Sequence, residues 1–553
     1  MYGYRPWEIL SLSVAIPPVK ASVKISPINQ VCSSRRLPVA VGVAPLSGAV
    51  LPHPDPWDSV TLALGALKRF CTEPPEIDRL VLHDFEEFVE RTMLDEIKPL
   101  PSDSDVSFDT WIENANYSRA RKDELTDLYH NFVEGRWDPY WAQVKMFCKD
   151  EFYGDFKHGR GINSRSDEFK TLVGPIFSAI EHEVFSGSKL SKWFIKKVPV
   201  DKRPAVVIDR LYRPGAMYFG TDASSFEASF TYPIMKAAEF RLYRYMTQNL
   251  PEHKRFMFFV HVVLGGKNVV VNKNFKVVLK ATRMSGEMCT SLGNGFFNVM
   301  ATRFLCSRIG TQVQGFVEGD DGLFRIEGRP PTKEEYAMLG VSIKPVLTRE
   351  LHKASFCGLV FDPQALVVVT DPRKALALLG WVPGRYFQAK RSVHLSMLRA
   401  KAWSMGYQYT SCPILSSAAR AFLRVTSGFD HRIVLHDRNV SQWERAKYQE
   451  AFASQRPFKE IGDAPIYIDY STRMIMKESF GVDVSTQLEY ERFFDSMTSL
   501  QEIPDFFNDL PSSWHQMYEM YARTSSTLTG LFDHPAEEWP IRCRIKVPIR
   551  LTA

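Results

Sequence analysis

Two adjacent carboxylates at a tight corner, Asp320 and Asp321, are the residues of this chain best suited to chemistry. They lie in the stretch 315–324, GFVEGDDGLF. It reads as two short strands, 315–318 and 322–325, joined at Gly319-Asp320-Asp321, with glycine at the corner and apolar residues on either side. Paired aspartates on a buried turn carry a steep desolvation cost unless a cation offsets it. A divalent metal does so while drawing phosphate oxygens to the same point. An acidic surface turn explains the triplet equally well, so the triplet alone decides nothing.

Other candidates lie along the chain. Residues 218–221 run as a strand into Asp222, with Glu227 following after a turn and the start of a helix. That is a metal-site arrangement, and equally a helix cap with a first-turn acid. The segment 283–301 opens on Ser285 and Gly286 and continues as a helix on which Thr290 and Asn294 share a face at i and i+4. A strand over 341–346 carries Lys344, and 354–361 reads as a turn into a further hairpin around Cys357. Upstream, 145–165 is dense in cations: Lys145, Lys149, Lys157, Arg160 and Arg165 interleave with Phe147, Phe152 and Phe156. Cationic tips on strand-like alternation suit a triphosphate or a nucleic-acid backbone, and a solvated basic face is the competing reading.

The elements that must hold these residues follow from composition and periodicity. A chain of 553 residues exceeds one ordinary core and implies several subdomains. Hydrophobic residues at 45% and charged residues at 24% exclude a disordered or membrane-embedded class. A net charge of +6 is compatible with nucleic acid without requiring it. The eight cysteines form no CxxC pair, which speaks against a zinc site or a disulfide framework and for a reducing compartment. Residues 1–56 lack either periodicity and read as an irregular arm. Within it, 9–16 makes a poor signal peptide, and 37–51 is too short and proline-broken to span a membrane. Helical patterns follow near 58–70, 77–94, 119–133 and 333–339, and residues beyond 371 are mostly helical. No Walker A motif occurs.

In order and spacing these segments resemble the RNA-dependent RNA polymerases of positive-strand RNA viruses, most closely the tombusvirus-like and nodavirus-like group. The carrying residues are Asp222 with Glu227, then Ser285-Gly286-x-x-x-Thr290-x-x-x-Asn294, then Gly319-Asp320-Asp321. Lys344 stands where the group's fourth motif has a lysine, Phe356-Cys357-Gly358 where the fifth has its turn, and Lys149 to Arg165 is similar to the group's finger motif. One position departs: the group's second aspartate is here Glu227.

The resemblance implies an α+β right hand: an N-terminal arm over 1–56 bridging fingers and thumb, and fingers over 57–215 with part of 230–280. A palm on an antiparallel sheet would span 216–365, and a thumb with the C-terminal region 366–553. It implies template copying by two-metal-ion nucleotidyl transfer with release of pyrophosphate. Asp222, Asp320 and Asp321 would hold two Mg²⁺, with Mn²⁺ as a substitute. Lys149, Lys157, Arg160 and Arg165 would bind the triphosphate. Glu227, Ser285, Gly286, Thr290 and Asn294 would bind the sugar side, and Lys344 would act as general acid, with Lys353 as its rival. Partners would be RNA template, nascent strand and nucleoside triphosphates, with other viral replication proteins or host membranes, at membrane-associated sites in the host cytoplasm. Two other readings stay open: a reverse transcriptase, which shares paired aspartates, and a non-catalytic RNA-binding viral protein.

Overall fold

The computed structural model describes residues 20–25, 39–54, 59–131, 138–149, 151–153, 157–272, 275–454, 466–508, 510 and 514. Much of the arm (1–19 and 26–38), Phe156, and most of the chain beyond 508 lie outside them. With 51% helix and 15% strand the class is α+β. Among the described residues the strands are β1 (Ser22–Ile25), β2 (Val39–Val41), β3 (Gln143–Cys148), β4 (Gly161–Arg165), β5 (Met217–Ala223), β6 (Lys267–Val271), β7 (Phe275–Lys280), β8 (Gln312–Glu318), β9 (Asp321–Glu327), β10 (Ile343–Thr348), β11 (Val360–Asp362), β12 (Val367–Val369) and β13 (Trp381–Pro383).

A four-stranded antiparallel sheet in the order β10-β5-β9-β8 holds the candidate aspartates. Its alternating side chains feed two cores, as a two-sided sheet requires. Phe219, Val317, Phe324 and Ile326 pack with the helix Thr290–Arg308 and its neighbours. Tyr218, Phe316 and Leu323 pack with Val207, Ile208 and Leu211 of the helix Arg203–Leu211, and with Leu351 and Phe356 beyond β10. The helix Thr290–Arg308 is buried around nearly its whole circumference, which explains why no apolar stripe marks it in sequence.

A second sheet runs β1-β7-β6-β3-β4, with β3 and β6 parallel and the other pairs antiparallel. The expectation of an irregular arm is therefore corrected. β1 adds to this sheet beside β7, while β2 pairs with β13 and Leu46 bridges Ile503. Strands of three and four residues are too short to leave a period-2 signature, and their partners lie hundreds of positions away.

The helices Ser59–Arg69, Arg79–Glu96 and Arg119–Asn131 match the expected patterns, the second capped by the Asp78 side chain. Toward the C-terminus, the helices Pro372–Leu379, Arg391–Gln408, Leu415–Val425, Tyr470–Phe480 and Val484–Ser496 enclose a separate core around Trp403, Phe422 and Tyr490. Among the described residues no helix is long and apolar enough to cross a membrane.

Candidate active site

Strand register brings the acids together. β8 and β9 pair from Gln312–Glu327 up to Glu318–Asp321, leaving Gly319 and Asp320 as a two-residue loop. Gly319 has φ +65° and Asp320 does not share a positive φ, the pattern of a II′ hairpin turn that favours glycine first. On the other side β9 pairs with β5 up to Thr221–Gly322, so Asp222 and Asp321 are the next pair in register. β10 then places Lys344 directly opposite Asp222. Residues directly opposite share a face, so Lys344, Asp222, Asp321 and Glu318 form one row across four strands at the end of the sheet, and Asp320 tops the turn. Lys353, the alternative to Lys344, is instead bonded to Glu350 at 2.7 Å on the surface.

The electrostatics match this crowding. The Asp321 carboxyl is pushed up to about 6 by the chain packed around it and by the charges of Asp320 and Asp222. Asp320 is raised by burial and by the negative charge of Glu227. Both aspartates keep solvent contact at the turn, so water screens part of this repulsion. None of Asp222, Asp320 and Asp321 is ion-paired with lysine or arginine among the described residues. Their ligand atoms do not all lie within 4.8 Å of one another. Among the described residues, the group of acids and histidine whose ligand atoms all lie within 4.8 Å is Glu350, His352 and Glu478, elsewhere in the fold. An uncompensated cluster of hard carboxylate oxygens is nevertheless the donor set a divalent cation takes.

Three side chains hold the turn. Asn298 Nδ2 donates to the carbonyls of Asp320 (2.9 Å) and Gly319 (3.4 Å) from one turn beyond Asn294. Arg203 donates to Glu318 at 2.9 Å, and the Cys357 thiol reaches the same carboxylate at 3.5 Å. Cys357 and Gly358 both have positive φ between the bridged pair Phe356 and Leu359, so the expected turn is a tight hairpin aimed at the row of acids. Asn298 continues the Thr290–Asn294 spacing by four and was legible as such; Arg203 and Glu318 carried no sequence signal of pairing.

The sugar-side candidates are built around Arg283, a fully buried guanidinium ion-paired with equally buried Glu239. It donates to Asn294 Oδ1 at 3.0 Å, its backbone N–H donates to the Glu227 carbonyl at 3.2 Å, and it lies 4.5 Å over the Phe230 ring. Asn294 and Glu227 are thus neighbours through Arg283. Ser285 and Gly286 instead lock onto β4: Ser285 Oγ accepts from Asn163 and donates to the Gly161 carbonyl, each at 3.3 Å, while a Cβ at Gly286 would meet the Asn163 carbonyl at 2.7 Å. Thr290 closes its own helix start by donating to the Met284 carbonyl at 3.0 Å.

Of the basic candidates, Lys149 and Arg160 converge on Glu151, at 2.8 and 3.4 Å, with Tyr153 donating to the same carboxylate. Burial alone would raise the Glu151 carboxyl; Arg160 and Lys149 more than offset it, so its pKa lies below the ordinary value. Arg160 is close enough to bear on Asp320. Lys157 is exposed on the connection between β3 and β4.

Arg165 departs from its expected role and is corrected. Its side chain is 3% exposed and committed to Glu287 and Asn268. A guanidinium already holding a buried carboxylate could be turned to a triphosphate only by giving up that hydrogen-bonded pair, leaving Glu287 to Arg283 at 3.6 Å.

Arg69 was not foreseen at all. It ends the helix Ser59–Arg69 and donates to Glu227 Oε1 at 3.0 Å, with Asp320 and Glu151 near enough to bear on its charge.

Residues 197–420 match the family model RdRP_1, viral RNA-dependent RNA polymerase. No curated protein matches the chain. The matched segment contains the whole row of acids, and it makes the molecule a template-directed nucleotidyltransferase. More particularly, this match supports an RNA-directed RNA polymerase like those of positive-strand RNA viruses. Its substrates are accordingly an RNA template and nucleotides, and the family generally uses divalent metal ions.

Proposed function

We propose that this polymerase copies its template by in-line attack of a 3′-oxygen on the α-phosphate of a bound nucleoside triphosphate, with pyrophosphate leaving. The observation that carries the reading is the cross-strand row of Asp222 and Asp321 beside Asp320, acids without cationic partners on the sheet that the family match covers. These three would hold the divalent ions, taken to be two Mg²⁺ with Mn²⁺ as a substitute. Such ions supply charge stabilisation to the attacking and leaving oxygens when bound.

The chain's own residues do the rest. Arg160 and Lys149, oriented by Glu151, offset triphosphate charge as it shifts to pyrophosphate. Asn294 offers its amide nitrogen, which makes no hydrogen bond among the described residues, to the sugar. Lys344, beside Asp222, is positioned to give a proton to the leaving group. Asn298, Arg203 and Cys357 keep the turn in place through Glu318 and the loop carbonyls.

In this reading the four-stranded sheet is the palm (216–365), the five-stranded sheet belongs to the fingers (57–215 with part of 230–280), and the helical region beyond 366 is the thumb. The segment before residue 57 ties the last two together. The order of motifs supports the tombusvirus-like and nodavirus-like group. The setting would be the host cytoplasm, at membrane-associated replication sites with other viral replication proteins.

The test is primer extension on an RNA template by the purified chain, with Mg²⁺, Mn²⁺ and EDTA compared and ribonucleotides set against deoxyribonucleotides. Extension with Mg²⁺ that EDTA and Asp320→Ala each abolish is expected. Extension retained by Asp320→Ala, or a preference for deoxyribonucleotides, overturns the reading.

A further inference from the structure

The Glu227 carboxylate is half satisfied. Arg69 donates to Oε1 at 3.0 Å, whereas Oε2 is buried and accepts from nothing. Its side chain is 13% exposed. An unmet buried carboxylate oxygen is costly and calls for an explanation. The surroundings narrow the possibilities. Glu227 sits close enough to Asp320 to raise it, and its backbone rests on Arg283, which in turn holds Asn294. A donor on the bound nucleotide would satisfy Oε2. Phosphate oxygens are repelled by a carboxylate, so the candidates are neutral donors, the sugar hydroxyls among them beside Asn294.

We infer that Arg69 is a specificity-determining positioning residue for nucleotide addition: it holds Glu227 so that Oε2 accepts a hydrogen bond from a ribose hydroxyl of the incoming nucleotide. The inference rests on the polymerase reading above. It adds a residue from outside the matched segment, which begins only at 197.

One contact joins the end of the Arg69 helix directly to the turn that carries Glu227, and two more brace the turn and the helix from neighbouring segments. Ser225, in a left-handed conformation with φ +53°, donates from Oγ to the Lys68 carbonyl at 2.7 Å. Lys20 Nζ donates to the Ala228 carbonyl at 2.8 Å. Gly65 packs so closely on the Gly159 carbonyl that any Cβ there would collide with it. This also accounts for glutamate at 227: the added methylene extends the carboxylate to an arginine on another element, which a shorter acid would not reach without movement of the helix.

The experiment measures incorporation of a ribonucleotide against its 2′-deoxy and 3′-deoxy counterparts by the wild-type chain, Arg69→Gln, Arg69→Lys and Glu227→Gln. Titration of the same nucleotides by calorimetry provides a readout that does not depend on turnover. A site that hydrogen-bonds a hydroxyl rejects the analogue lacking it strongly. Arg69→Gln and Glu227→Gln should therefore each reduce discrimination against one deoxy analogue by about tenfold, carried by KM more than kcat. Arg69→Lys should restore part of the loss. The double variant Arg69→Gln/Glu227→Gln should lose no more than either single one. If wild-type extends RNA and Arg69→Gln, with an unchanged melting temperature, discriminates as wild-type does in both assays, the inference is overturned while the polymerase reading stands. A general loss of binding for all three sugars likewise overturns it. If wild-type itself does not extend RNA, it is the polymerase reading that fails.

Discussion

Replacing Asp321 by asparagine should make the protein more stable and less active at once. The carboxyl stands beside Asp222 and Asp320 and is displaced from 3.8 to about 6. Close to two units corresponds to about 3 kcal/mol. Because the side chain remains exposed at the turn, screening reduces the usable part to about 1 kcal/mol. The sign follows from linkage. The folded pKa is raised, so the group's stabilising contribution is complete below 3.8 and is lost as pH rises through about 6. At pH 7.5 the ionised carboxylate is therefore a net burden, and Asp321→Asn, which keeps the shape without the charge, relieves it. In EDTA the variant should exceed wild-type by about 1 kcal/mol at pH 7.5 and match it near pH 4. For a chain of this length that is a shift on the order of 1 °C, so it must be read as a paired difference across the pH series. Mg²⁺ should then stabilise wild-type more than the variant, and primer extension should fall by about a hundredfold or more. A variant less stable than wild-type at pH 7.5, or equally displaced at both pH values, would refute the argument that repulsion among these acids governs the site.

Other outcomes follow from single contacts. Asn298→Ala removes the donor to the Asp320 and Gly319 carbonyls; it should cost about 1–2 kcal/mol in denaturant titration and lower kcat with little change in nucleotide KM. Arg165→Ala removes the hydrogen-bonded partner of the buried Glu287 and leaves it only Arg283 at 3.6 Å, so a loss of about 1.5–3 kcal/mol is expected, whereas Arg160→Ala should leave stability near wild-type and raise the nucleotide KM. A soluble, stable Arg165→Ala with a selectively raised KM would restore its triphosphate role. His158 is held down to about 4 by burial and by the nearby Lys68 charge. Its contribution is therefore complete above 6.5 and lost as pH falls toward 4, amounting to about 3 kcal/mol. His158→Gln should flatten stability across that interval, and an unchanged slope would show the histidine to be already charged when folded.

What sequence could disclose tracks how local each feature is. The hairpin around Gly319 depends on a turn of adjacent residues and apolar flanks, so both its position and its acids were readable in advance. Asp222 was readable as a strand end, but its neighbours Lys344 and Asp321 in the row are a matter of register between strands roughly a hundred positions apart. Arg165 looked like a phosphate ligand because its partner Glu287 is 122 residues distant, and a cation with an invisible partner resembles a free one. Arg69 had the reverse problem: an ordinary helix-end arginine whose importance comes entirely from what it docks against. β1 and β2 were missed because strands this short are stabilised by their remote partners and not by their own pattern.

The pairing of β2 with β13, and of Leu46 with Ile503, bears on when the molecule can be finished. A ribosome adding about 5–20 residues per second needs on the order of half a minute to a minute and a half to travel from one to the other. Throughout that interval β2 and Leu46 lack these partners, while β1 can already pair with β7. The fold is thus closed by a clasp whose two halves are made at separate times, and its earlier half waits on the later one.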